Sequence, residues 1–120
     1  MIKEYLMKTI SREELMSRLN RHEQVQLVMA LGQWAYEQVH IPGSLNLTSP
    51  AEALGRLSPE QEVVVYCMNE NCPASYRLYY HLKNLGFQKV TRFAGGIEAW
   101  AEAGFPVEGT RATETGWTYV

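Results

Sequence analysis

The sequence predicts a small α/β domain: a central, mainly parallel sheet with helices on both faces, in three layers. Three observations carry this expectation. Residues 25–31 and 62–67 are short, Val- and Leu-rich runs, the pattern of strands buried on both faces. Segments with apolar residues at helical spacing lie between and after them, long enough for the right-handed crossovers that parallel strands require. The 120 residues contain no repeat and no internal linker, so one domain is expected, its core at about 8–107, with a polar tail at 108–120.

The elements follow in order. Tyr5, Leu6 and Ile10 suit a short edge strand, and Ser11-Arg12-Glu13-Glu14 is a capping-box signature that starts a helix over 12–20. The run Val25 to Leu31 reads as a strand ended by Gly32. A short helix over 33–39 is expected to pack through Trp34 and Ala35. His40-Ile41-Pro42-Gly43-Ser44 is a turn leading into a brief extended piece, Leu45-Asn46-Leu47. Residues 48–60 read as a connection with a weak helical segment around 51–57. After the strand at 62–67, Leu78, Leu82 and Leu85 recur at helical spacing, and Gly86 is placed to end that helix. A last strand is expected at 88–93. Ala94-Gly95-Gly96 then turns into a short helix over 97–101, closed by Gly104 with Pro106 beyond.

Composition narrows function by exclusion. A net charge of −2 gives no reason to expect nucleic acid or an anionic membrane as partner. No apolar run approaches a membrane span, and the opening MIKEYLMKTI lacks the apolar core of a signal peptide. A cytoplasmic location is therefore expected, where the two cysteines point to catalysis, redox chemistry or inert burial rather than a structural disulfide. No cofactor is implied. A zinc site is not expected, because two cysteines without a histidine at ligand spacing fall short of four ligands.

The chemistry converges on Cys67. It ends the apolar strand Val63-Val64-Val65-Tyr66 and precedes a polar loop that opens a helix. Open α/β sheets bind ligands at that edge. The helix N-terminus and its free N–H groups favour a thiolate over a thiol. The alternative reading is a buried, inert cysteine. Cys72, in the same loop, either acts as a redox partner of Cys67 or simply caps the helix ahead of Pro73. Tyr76, Tyr79 and Tyr80 read as packing on one helix face, and Trp100 as core.

Three stretches, taken together, resemble the single-domain rhodanese (sulfurtransferase) family. They are His40-Ile41-Pro42-Gly43-Ser44-Leu45-Asn46, Val63-Val64-Val65-Tyr66-Cys67 with its following helix ending Leu85-Gly86-Phe87, and Phe93-Ala94-Gly95-Gly96-Ile97-Glu98-Ala99-Trp100. Their order and spacing match the family pattern, and the likeness covers roughly 8–107. It implies that Cys67 takes a sulfane sulfur from a donor, carries it as a persulfide, and passes it to a thiol or protein acceptor. The backbone of Met68, Asn69, Glu70, Asn71, Cys72, Pro73 and Ala74 would then cradle the anionic sulfur. His40, Ser75, Gly95 and Gly96 would support it, His40 by holding its turn.

The sequence departs from the family at two places. Where the second strand usually ends Asp-x-Arg, this chain has Met29-Ala30-Leu31. The loop is about two residues longer than usual, has no arginine, and carries Glu70 where an anionic donor would approach. These departures leave a second reading, a non-catalytic or regulatory binding module. A cysteine phosphatase or arsenate reductase is rejected, since no arginine lies between 68 and 76 to clamp a tetrahedral oxyanion.

Overall fold

The computed structural model describes residues 7–47 and 49–110. Its order is α1 (Arg12–Asn20), β1 (Gln26–Met29), α2 (Gln33–Gln38), β2 (Leu45–Asn46), α3 (Pro50–Arg56), β3 (Val63–Tyr66), α4 (Pro73–Asn84), β4 (Val90–Arg92) and α5 (Gly96–Glu102). The four strands form one parallel sheet in the order β2-β1-β3-β4. The active strand β3 is therefore central, flanked by β1 and β4.

Alternation along the strands divides the core in two. Leu27, Met29, Val64 and Tyr66 point to one face and pack with Leu15, Ile97 and Trp100 from α1 and α5. Val28, Val63 and Val65 point to the other and meet Ala53, Leu78 and Leu82 from α3 and α4. Every residue of β3 is fully buried, which is why the strand reads as a continuous apolar run. Three layers result, with helices on both faces.

Local signals act where expected. The Ser11 hydroxyl accepts from the Glu14 N–H at 3.1 Å and starts α1. Ser49 accepts from the Glu52 N–H, and Pro50 sits in the first turn of α3. The segment expected as a connection thus holds a capped seven-residue helix. Of the N-terminal edge strand only Thr9 pairs, bridging to Arg92, with Tyr5 and Leu6 outside the described residues. Most of the tail (111–120, with Trp117, Tyr119 and Val120) also lies outside them.

Two packing expectations are corrected. Trp34 is 74% exposed, and α2 packs instead through Tyr36, whose hydroxyl donates to the Ser44 carbonyl at 2.6 Å. Tyr76 is likewise exposed and stacks edge-on against Tyr80, whereas Tyr79 is buried. In both cases helical spacing marks a face without saying which neighbours exist to cover it.

Side-chain hydrogen bonds to the backbone brace the sheet edge and the turn at 41–44. The Asn46 amide donates to the Leu31 carbonyl at 2.6 Å and to the Met29 carbonyl at 3.2 Å, closing β2 onto the end of β1. Tyr66 ties the turn at 41–44 to the central strand: the Ile41 N–H donates to its hydroxyl at 3.0 Å, and Ser44 Oγ lies 2.9 Å away. Burial pushes the Tyr66 phenol well above its usual range, so it remains a neutral hydroxyl. Among the described residues no helix is long and apolar enough to cross a membrane. None of their His, Cys, Asp and Glu side chains form a group of three suited to a metal.

Candidate functional site

The apolar run of β3 ends at Cys67, and the chain then leaves the sheet, loops through 68–72 and enters α4 with Cys72 as N-cap and Pro73 in the first turn. Cys67 is 1% exposed, while Cys72 is half-buried at the loop's outer end. Both are free thiols.

The Cys67 thiol lies 3.2 Å from Ser75 Oγ and 3.3 Å from the Cys72 carbonyl. Burial, followed by the adjacent Cys72 sulfur, pushes the Cys67 thiol up; the Ser75 hydroxyl and N–H pull only partly the other way. Burial also raises Cys72. There it is outweighed by the proton offered from Cys67, the N–H groups of Ala74 and Met68, and the positive charge of Arg92, so that thiol moves down. Cys72 is therefore the more acidic thiol of the pair, whereas the expectation put the lowered thiol at Cys67.

The backbone cradle is also narrower than expected. Asn69 consumes two of its amides, since the Asn71 N–H donates to Asn69 Oδ1 at 3.0 Å and the Cys72 N–H to the Asn69 carbonyl at 3.1 Å. Pro73 has no N–H to offer.

The expectation of a loop without cationic support is corrected by Arg92. From β4, its Nε donates to Ser75 Oγ at 2.9 Å, and an Nη donates to the carbonyls of Glu70 at 3.2 Å and Cys72 at 3.4 Å. Its own backbone is fixed on both sides, with the Arg92 N–H on the Lys8 carbonyl and the Ile10 N–H on the Arg92 carbonyl. The parallel register sets Arg92 beside Val65, two residues before Cys67. Sequence proximity to the loop gave no hint of it. A signal existed all the same: an arginine inside the last core strand, next to buried Val90 and Thr91, needs a partner.

Gly96 supports the loop from below. Its φ is +67°, and a Cβ there would lie 2.5 Å from the Cys67 carbonyl oxygen and 2.6 Å from the Met68 carbonyl carbon. That close approach lets the first amides of α5 bind the loop, Ile97 N–H to the Cys67 carbonyl at 2.9 Å and Glu98 N–H to the Met68 carbonyl at 3.0 Å. Gly95 is tight for a different reason, its would-be Cβ lying 2.7 Å from Ala99 Cβ. His40 serves its own turn: Nδ1 donates to the Tyr36 carbonyl at 2.6 Å, the ring stacks on Tyr36, and its backbone pairs with Glu108. Glu70 is exposed and lines a cleft of about 300 Å³ with Glu98 and Glu102, on the loop's flank toward α5.

Comparison with known proteins agrees with this architecture. The Rhodanese-like domain family matches residues 11–103. A sulfurtransferase of Allochromatium vinosum is 31% identical over 100 residues, covering 82% of this chain and 92% of that protein. Among solved structures, a Bacillus halodurans protein superposes with a TM-score of 0.83 at 23% identity, covering 99% of this chain and 89% of that one. The Rhodanese-like domain of an Anabaena protein gives a TM-score of 0.80 at 24% identity, covering 88% and 81%. With the sheet order, the strand-end cysteine and the glycine turn beneath it all in register, the chain belongs to the rhodanese-like family.

Proposed function

We propose that this chain is a sulfurtransferase that carries sulfane sulfur as a persulfide on Cys67, between a donor such as thiosulfate and a thiol or protein acceptor. The observation that supports it most is the enclosed Cys67 thiol at the end of β3, bonded to Ser75 and neighboured by Arg92. The name of the Allochromatium relative points the same way.

In this reading Cys67 attacks the sulfane sulfur of the donor. Its proton goes to the departing sulfite, which leaves as bisulfite. The donor's sulfur–sulfur bond breaks, sulfite leaves with the electron pair, and a persulfide anion remains on Cys67. The Ser75 N–H and hydroxyl and the Arg92 charge stabilise the anion that forms. The binding-module reading drew its weight from a loop without a cation; Arg92 removes that argument. Cytoplasmic placement and a small thiol or protein acceptor belong to the same proposal.

The test is sulfur transfer from thiosulfate to a thiol acceptor by the purified chain. Wild type should turn over, and Cys67→Ser should lose at least about 10³-fold in rate, the scale of losing a nucleophile. Equal rates in the two proteins would refute the proposal. A second substitution reports on the donor's approach. Glu70→Arg should raise kcat/KM for thiosulfate about 3- to 10-fold, because it replaces repulsion of an anion by attraction at a screened surface. An unchanged value would place the Glu70 carboxylate outside the donor's path.

A further inference from the structure

The mechanism so far gives Cys72 no step, yet the fold sets this residue against the atom that receives the donor's sulfur, its carbonyl 3.3 Å from the Cys67 sulfur. Cys72 is anchored as the N-cap of α4, the Asn69 turn closes the loop behind it, and its carbonyl also accepts from Arg92. It is half-buried where Cys67 is buried.

We propose that the pair forms a sulfane-sulfur reductase: Cys72 attacks the inner sulfur of the Cys67 persulfide, forming a Cys67–Cys72 disulfide and releasing hydrosulfide. The step builds on the sulfurtransferase reading above. The new bond joins the two cysteine sulfurs, and the bond between Cys67 and the sulfane sulfur breaks. The sulfane sulfur leaves with that electron pair and with the proton that the Cys72 thiol gives up as it attacks. Two electrons pass from the dithiol to the sulfane sulfur, which departs as HS⁻. An external low-molecular-weight thiol or dithiol then reduces the disulfide by exchange, itself becoming oxidised.

Three features favour this outcome over export of the persulfide. Cys67 is 1% exposed, so an acceptor from outside reaches its sulfur less readily than Cys72, which shares its loop. The Cys72 carbonyl already lies 3.3 Å from the inner sulfur, so the two cysteines meet within one loop and the attack needs no domain motion. The Cys72 thiol is also the more acidic of the two, and a thiolate is the attacking form.

The experiment is a single turnover of the reduced, desalted chain with one equivalent of thiosulfate, reading released sulfide, free thiols and intact mass. Wild type should release about one sulfide per chain, lose both free thiols, and end about 2 Da lighter with residues 67 and 72 linked. Cys72→Ser, which keeps a good N-cap residue, should instead hold a sulfur that adds about 32 Da, with sulfide release down at least tenfold. Cys72→Ala should behave as Cys72→Ser does. The inference is overturned if wild type keeps its persulfide without releasing sulfide while Cys72→Ser loads equally, a result that leaves the transferase reading standing. It is also overturned if the added sulfur of wild type ends on Cys72. Loading of neither folded protein overturns both.

Discussion

Replacing Gly96 by valine should lower the unfolding free energy by about 3–5 kcal/mol and leave little sulfur transfer in what remains folded. Two costs combine. The residue has a φ of +67°, which a β-branched side chain adopts only under strain. Its Cβ would also meet the backbone of Cys67 and Met68 at 2.5–2.6 Å, and backbone cannot rotate aside as a side chain can. The loop must move off α5, breaking the Ile97 and Glu98 amide bonds that hold its first two carbonyls. Gly43 provides the control. Its φ is +85°, and a Cβ there would meet nothing within 4 Å, so Gly43→Ala should cost only about 1 kcal/mol. Chemical denaturation of the two variants measures the difference; similar losses would mean that contact with the active loop is not what Gly96 secures.

The second large effect is expected at Arg92. Arg92→Ala removes one donor from Ser75 and one charged donor from the carbonyls of Glu70 and Cys72. Thiosulfate kcat/KM should fall about 10²-fold, equivalent to about 2.7 kcal/mol of transition-state stabilisation. Arg92→Lys should recover only part of it, because an ammonium keeps the charge but cannot span Ser75 and the loop carbonyls as a planar fork does. A rate within twofold of wild type in Arg92→Ala would show that the guanidinium braces the fold without serving the sulfur.

These two residues mark the limits of reading the chain from its sequence. Gly96 was legible because a Gly-Gly pair after a strand and before a helix implies an unusual backbone, and the family likeness placed that turn near Cys67. The sheet was legible for a similar reason: β1 and β3 are buried on both faces, and burial on both faces writes a continuous apolar run. Arg92 was not legible. It lies 25 positions from Cys67, and only the β3–β4 register brings it to the loop. Asn46 was legible only as part of the family likeness; that its side chain binds two carbonyls at the end of β1 follows from the fold. Trp34 shows the converse failure, in which local pattern suggested a contact that tertiary structure does not supply. Which of the two thiols is the more acidic was beyond the sequence as well. It depends on which sulfur is deeper and which lies nearer Arg92, and both follow from how the loop folds over the end of β3.

The central claim is that Cys67 is the atom that accepts sulfur. It is tested most directly by the intact mass of the Cys72→Ser chain after incubation with thiosulfate, with fragmentation to locate any added mass. A gain of one sulfur, about 32 Da, is expected on Cys67, reversed by a thiol reductant. A folded chain that gains no sulfur from thiosulfate or from a small persulfide, or that carries it on any other residue, would contradict the account.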